Sequence, residues 1–146
     1  MPETATEIIL TLPTEIQIGK RFYSVNLNTF RNLYYITKNQ MKKKYTELVM
    51  KELSECKCHF EAISIHYKVY FGDRRRHDVT NVVAMVDKFL EDALVKCHII
   101  DDDDYKHVRK GSWEYGGIKP GKPEIEVTIS ELYNKGKDYK GLDLTR

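Results

Sequence analysis

Two groups of charged residues in the second half of the chain have the types and spacing to act on a phosphodiester. Arg74, Arg75 and Arg76 lie just before Asp78, with one histidine between, and guanidinium groups bind phosphate oxygens through paired hydrogen bonds. A run of four carboxylates, Asp101 to Asp104, follows later in the chain. Mg²⁺ prefers such oxygen ligands and often takes only one or two, with water and substrate phosphate completing its shell. The combination indicates metal-dependent cleavage of a nucleic acid more than binding alone.

A helix predicted over residues 81–96 connects the two groups. Its apolar residues recur at intervals of one, three or four, which gives a stripe of helical period. On the wheel Asn81, Lys88 and Asp92 share one polar flank because they are spaced by seven and four, whereas Asp87 lies on the other flank. Lys88 is then placed to bind a phosphate oxygen. We expect a following strand to bring the aspartate run back beside Asp78.

Each part also has a plain structural explanation. An aspartate run is commonly a solvated turn, and an arginine run a solvated basic loop. Lys88 and Asp92 suit a weak surface pair one helical turn apart, and Asp78, Thr80 or Asn81 suits a helix cap. The glycine and terminal glutamate spacing of an EF-hand is absent from the aspartate run. The combination in this order favours the functional interpretation.

The composition excludes binding of nucleic acid by bulk charge. The net charge is only +2 and 41% of residues are apolar, as in an ordinary globular protein. Nucleic-acid affinity therefore has to come from local patches. Lys42, Lys43 and Lys44 form one such patch, and Arg74 to Arg76 form the other.

Several features indicate a cytoplasmic protein. Met1 to Ala5 lack the basic start and apolar stretch of a signal peptide, and no run approaches the ~20 apolar residues of a membrane helix. Cys56, Cys58 and Cys97 form an odd set, which is typical of reduced thiols. Cys56 and Cys58 with their neighbouring histidine do not have the usual spacing of structural zinc ligands.

The hydrophobic pattern predicts a mixed α/β (α+β) fold, a small mixed β-sheet covered by two helices in the order β-α-β-α-β(β). The chain length favours one domain, over residues 1–133, with a polar tail at 134–146. Strands are expected at 7–12, 60–71 and 124–132, with two further short strands at 16–18 and 105–110. Helices are expected at 29–55 and 81–96, and the glycine- and proline-rich stretch 111–123 is expected to be a loop. Trp113 and Tyr115 in that stretch suit either stacking on unpaired bases or packing as loop anchors.

The segment Asp73-Arg-Arg-Arg-His-Asp78-Val-Thr-Asn81, followed by Lys88, Asp92-Ala93-Leu94 and Ile100 with the aspartate run, resembles the RusA family of Holliday-junction resolvases. That family carries an arginine run leading into Asp-x-Asp-Asn, then a helix with Lys and Asp-Ala-Leu, then a hydrophobic-Asp-Asp turn. The match covers about residues 60–130. Leu10 to Pro13 and Asn28 to Tyr34 are similar more weakly to the family's opening strand and loop.

The resemblance implies a fold, an activity and partners. Members are phage- or prophage-encoded homodimers that bind four-way DNA junctions and nick two opposed strands with Mg²⁺, for which Mn²⁺ is a possible substitute. It implies metal carboxylates at Asp78 and at Asp102 or Asp103, and a functional lysine at Lys88. We expect DNA contacts from Arg74 to Arg76, Asn81, Lys42 and Lys43, in the cytoplasm of a bacterial host, with no membrane and no organic cofactor.

Two departures from the family pattern keep alternatives open. Thr80 stands where the family has the second aspartate of Asp-x-Asp-Asn, and the stretch between Asn81 and Lys88 is about one helical turn longer. Asp87, Asp92 or a neighbour in 101–104 replaces the missing carboxylate, and the wheel favours Asp92. Otherwise the protein binds branched DNA without cutting well, or is a non-enzymatic phage module that acts on the host.

Overall fold

The computed structural model describes residues 7–132, so Met1 to Ala5 and the predicted tail at 134–146 lie outside the described residues. The helices and strands follow the order β1 (Glu7–Pro13), β2 (Glu15–Ile18), β3 (Arg21–Ser24), α1 (Leu27–Arg31), α2 (Tyr35–Glu52), β4 (Ile63–Phe71), α3 (Val79–Lys96), β5 (Val108–Ile118) and β6 (Glu124–Glu131).

The main sheet has the strand order β1-β6-β4-β5. β4 pairs with β5 in parallel, with Tyr67 opposite Trp113, while β6 pairs antiparallel with β4 and with β1. β2 and β3 form a separate hairpin. Since a parallel pair needs a crossover connection, α3 provides it between β4 and β5. The mixed α+β fold predicted from the sequence is confirmed.

The core lies between one face of this sheet and helices α2 and α3. Side chains alternate along a strand between the two faces of the sheet, and every second residue of β4, from Ile63 to Phe71, is buried while those between are only partly so. The apolar stripe of α3 packs on that buried face. Its buried members are Val82, Met85, Val86, Phe89, Leu90, Ala93 and Leu94. The opposite face of the sheet carries the polar residues and is not covered by a helix in the described part of the chain.

The single helix predicted over 29–55 is wrong, because the structure has two helices with a break at residues 32–34. The Asn26 side chain caps α1 by accepting a hydrogen bond from the Thr29 amide at 2.7 Å. The Asn32 side-chain amide donates to the Asn28 carbonyl at 3.0 Å, at the end of the same short helix. The break lets Phe30 pack edge-on against Phe89, with ring centroids 6.0 Å apart.

The loop predicted over 111–123 is also wrong over most of its length, because β5 runs to Ile118. The glycines of β5 allow close approach to β4 and an irregular backbone. A Cβ at Gly116 would lie 2.7 Å from the Tyr70 ring, so only glycine lets the strands approach there. Gly117 has a φ of 119°, next to the register shift that follows Val69. Glycine in a strand often marks such an irregularity or close approach.

Candidate nucleic-acid interface

Asp78 caps the N-terminus of α3, at the point where the arginine loop meets the helix. Its carboxylate accepts hydrogen bonds from the Thr80 amide at 3.2 Å and from the Thr80 hydroxyl at 2.8 Å. Thr80 therefore holds the carboxylate of Asp78 in place. Beyond the Asp78 cap, the first turn of α3 has no acidic residue, so the helix dipole and the first-turn amides other than that of Thr80 favour an anion such as phosphate.

Asp73 organises the arginine loop. Its carboxylate accepts hydrogen bonds from the Arg75 amide at 2.9 Å, from the Arg75 guanidinium at 3.0 Å and from His77 Nε2 at 2.7 Å. These bonds, those from Arg75 first, hold the pKa of Asp73 well below its usual range. All three arginines are exposed, but Arg75 is paired with Asp73 within the loop. Arg74 and Arg76 are the better placed of the three to bind DNA.

Two clefts adjoin Asp78. One, of about 660 Å³, is lined by Asn26, Asn28, Arg76, Asp78, Asn81 and Trp113 among others. The second, of about 540 Å³, is lined by Arg74 and a row of rings, in which the Phe71 ring stacks on His77 with centroids 4.3 Å apart and on Tyr115 at 6.2 Å. Guanidinium and amide groups bind phosphates, and exposed rings stack on bases.

Asn26 and Asn28 were not predicted as site residues. The only signal in the sequence was the weak similarity of the stretch from Asn28 to Tyr34 to the family's loop. Asn26 caps α1, and the contact of α1 with α3 also brings both asparagines to the cleft beside Asp78. Their placement depends on the break after α1, which the predicted continuous helix did not contain.

The aspartate run lies beyond the other end of α3. Asp101 pairs with His59 at 3.0 Å, and Asp104 pairs with His107 at 2.6 Å. These histidine hydrogen bonds lower the pKa of both carboxyls. Asp102 accepts a hydrogen bond from the Asp103 amide at 2.7 Å, and both side chains are exposed. Asp102 and Asp103 therefore remain the members of the run with carboxylate oxygens to offer a ligand.

The expected approach of the run to Asp78 is not found within one chain. α3 has 18 residues, which is about 27 Å of helix, between Asp78 and the run. The following strand β5 does not reverse this separation, because it is parallel to β4 and starts beside Ile63. The run precedes β5 and so lies at the start of both strands, whereas Asp78 follows the end of β4. Within residues 7–132 no three His, Cys, Asp or Glu side chains form a group that could hold a metal ion.

Asp87, which the sequence offered as one possible replacement carboxylate, belongs to an acidic group on α3 with Glu91, a residue that the sequence did not single out. The hydroxyl of the buried Tyr67 donates to the Asp87 carboxylate at 2.5 Å. Partial burial and a hydrogen bond with Asp87 raise the pKa of Glu91 to about 9, with smaller contributions from Asp103 and Asp92. The C-terminal half of α3 and Asp103 thus form one acidic surface. Sequence spacing did not show the contact that holds Asp87, because it comes from Tyr67 on the neighbouring strand β4.

The remaining predicted residues are placed as follows. Lys88 is exposed on α3, and Asp92, one turn later, is partly buried at the acidic surface. Lys42 and Lys43 are exposed on α2. None of these lysines lines the two clefts beside Asp78. Their predicted DNA contacts would therefore extend the interface beyond the clefts.

No protein-family model matches this chain, and no curated protein matches it. The resemblance to RusA resolvases therefore stays a prediction. Among the helices in residues 7–132, none is both long enough and apolar enough to cross a bilayer.

Proposed function

We propose that this chain is a Mg²⁺-dependent endonuclease that binds four-way DNA junctions as a homodimer and nicks opposed strands. One observation carries the proposal. An exposed carboxylate, Asp78, is fixed at a helix N-terminus in a cleft that it shares with Arg76 and Asn81. A phosphate bound to that guanidinium and to the amides of the helix start is brought next to a carboxylate.

The clefts also suit distorted DNA more than a regular duplex. Tyr115 and Trp113 are about half exposed and flank the arginine loop through the clefts that they line. Aromatic faces stack on bases that have left the duplex. A junction centre offers such bases, while its arms supply the phosphates that Arg74 and Arg76 bind.

The carboxylates have the right chemistry for Mg²⁺ but are divided between the two ends of α3. Asp78 at one end and Asp102 or Asp103 at the other are oxygen donors of the kind that Mg²⁺ takes. One chain separates them by the length of the helix, so a second chain related by a two-fold axis has to complete the set. When bound, Mg²⁺ supplies an activated water and stabilises charge on the scissile phosphate.

The protein's own groups then have separate roles. Asp78 would hold Mg²⁺ through a carboxylate oxygen at the start of α3, and Thr80 keeps that carboxylate in one orientation. Arg76 and the helix amides hold phosphate oxygens and offset their charge. A four-way junction has near two-fold symmetry, and a homodimer with two equivalent sites matches it.

A second candidate is a branched-DNA-binding protein that does not cut. It is favoured by Thr80, which puts a hydroxyl where the resembled motif has its second carboxylate. Both candidates use the same arginines and clefts, so binding alone does not separate them.

The experiment compares binding and nicking of a labelled four-way junction by the wild-type chain and by Asp78→Asn. We expect the variant to bind the junction with near-normal affinity and to lose nicking, since the amide keeps the cap but not the charge. Glu47→Gln, which removes an exposed carboxylate from α2, is the matched control and should nick normally. Equal loss of binding and nicking in Asp78→Asn would contradict a metal role. Normal binding without nicking in the wild type, with Mg²⁺ or Mn²⁺, would favour the second candidate.

A further inference from the structure

β5 is an edge strand of unusual length and exposure. It ends the strand order of the main sheet, has 11 residues and is exposed on both faces from Arg109 to Tyr115. Trp113 and Tyr115 keep 51% and 54% of their surface exposed. Natural proteins usually shorten, bulge or cover such an edge, because its backbone groups can pair with another chain. Within residues 7–132 no other strand pairs with the outer side of β5, and the register shifts lie outside its central residues 111–115.

The backbone groups that reach the free edge can be identified. The carbonyl of Phe71 accepts from the Lys119 amide and the Ile63 amide donates to the His107 carbonyl, so the odd-numbered residues of β4 bond to β5. Between the two register shifts, Ile65, Tyr67 and Val69 lie opposite Gly111, Trp113 and Tyr115. In a parallel pair, a residue that bonds across to its partner strand lies opposite a residue whose own amide and carbonyl point to the other side of that strand. Gly111, Trp113 and Tyr115 therefore direct their amides and carbonyls outward.

We infer that this edge pairs with the same edge of a second copy, antiparallel and centred on Ser112. This register places Lys110 opposite Glu114 twice, once on each side of the axis. It also places Trp113 opposite Gly111, where a bare glycine backbone leaves room for the indole. Glu114 is already oriented, because His66 binds one of its oxygens at 2.8 Å. Opposite charges and aromatic partners directly across a strand pair are stabilising.

The other edge of the sheet lacks this complementarity. β1 has the sequence EIILTLP, with one acidic residue and no basic one, so no antiparallel register pairs opposite charges. It also ends in Pro13, which cannot donate a backbone hydrogen bond. A second copy therefore fits β5 and not β1.

The inference rests on the homodimer proposed above and gives it a geometry. The two-fold axis is normal to the sheet, so both copies of α3 lie on the same face. α3 is the helix that contacts β4 and β5, and the two copies run antiparallel across the axis. The end of one α3 that carries Asp78 then lies toward the end of the other that carries Asp103. The same pairing thus supplies the second chain that the proposed site requires.

The first test uses the full chain with Ser112→Cys. Ser112 would face its own copy in a pair without backbone hydrogen bonds, where Cα atoms are about 4.5 Å apart, within the range that a disulfide spans. We expect mild oxidation to give a covalent dimer in high yield. Thr11→Cys, an exposed position on β1, and the wild type with its three cysteines are the controls and should stay uncrosslinked. Crosslinking through Thr11→Cys instead would overturn the inference.

The second test reverses charge without touching the fold's core. Lys110→Glu places two like-charged pairs across the axis, and we expect the dimer dissociation constant to rise about tenfold to thirtyfold. The double variant Lys110→Glu, Glu114→Lys should restore most of the dimer affinity, because the opposite charges again face each other. Sedimentation velocity measures both, with the dimer at twice the 17.2 kDa chain mass.

These measurements do not depend on cleavage. A dimer unaffected by Lys110→Glu, or a wild-type chain that stays monomeric with and without junction DNA, would overturn the pairing of β5. A dimer that behaves as expected but never nicks DNA would leave the pairing supported and contradict only the proposed function.

Discussion

Mixing two inactive variants, Asp78→Asn and Asp103→Asn, is expected to restore junction cleavage. Two ligands of one Mg²⁺ lie within about 4 Å of each other, yet α3 separates these two aspartates by about 27 Å. Each site must then take Asp78 from one chain and Asp103 from the other. In a mixed dimer one site receives both altered residues and the second site receives none.

The magnitude follows from the symmetry of the dimer. Equal amounts of the two variants that exchange subunits at random give about half mixed dimers, each with one intact site out of two. We therefore expect about a quarter of the wild-type rate of single-strand nicking. Paired nicking of both opposed strands should remain almost absent, because no dimer in the mixture has two intact sites.

The assay is nicking of a four-way junction labelled on one strand, after the variants are mixed long enough for subunit exchange. Each variant alone is the baseline. The double variant with Asp78→Asn and Asp103→Asn in one chain, assayed alone, is the negative control. Activity in the mixture no greater than the two baselines together, with exchange verified by mass, would refute the argument from helix length.

Three further predictions concern stability and DNA affinity. Glu91→Gln should raise the free energy of unfolding at neutral pH by about 1 kcal/mol, a value reduced for solvent screening of a half-exposed group. The pKa of Glu91 is raised from 4.5 to about 9, so the folded chain binds the extra proton and wild-type stability falls as pH rises through that window. Urea unfolding at several pH values should show that the difference in free energy of unfolding between Glu91→Gln and wild type grows as pH rises. A difference that stays constant with pH would contradict the raised pKa. Tyr67→Phe removes the hydroxyl that donates to Asp87 and should cost about 1.5–3 kcal/mol, and a urea midpoint unchanged from wild type would count against that bond. Arg76→Ala should lower the salt dependence of junction binding by about one phosphate contact, and Arg75→Ala, whose guanidinium is paired with Asp73, should lower it less, so equal slopes for the two variants would disagree with the loop geometry.

The sequence predicted a strand or helix well where its apolar residues followed a single period. β4 alternates strictly between buried and partly buried positions, and α3 carries a single apolar stripe, so both were predicted close to their observed bounds. Only the start of β5 was predicted, as a short strand at 105–110, because the glycines that follow resemble loop residues and become strand residues only through the parallel pairing with β4. That pairing is a contact between distant parts of the chain, which local patterns do not record.

For the candidate site too, the prediction held for residues close in sequence and failed for residues brought together by the fold. Asp78, Arg74 and Arg76 are close in sequence, and the structure keeps them close because one loop carries them. The aspartate run was expected beside Asp78 on the assumption that the next strand returns along α3. The parallel direction of β5 places it at the opposite end. Glu91 gave no signal, since its raised pKa comes from burial and from Asp87, which Tyr67 holds.

The most direct measurement of the central claim is nicking by the wild-type chain of a labelled four-way junction and of a linear duplex of the same sequence, each with Mg²⁺ and with EDTA. We predict paired, symmetric nicks in the junction with Mg²⁺, and none in the duplex or with EDTA. Nicking of both DNAs alike, or junction binding with no nicks in Mg²⁺ or Mn²⁺, would contradict a junction-resolving endonuclease.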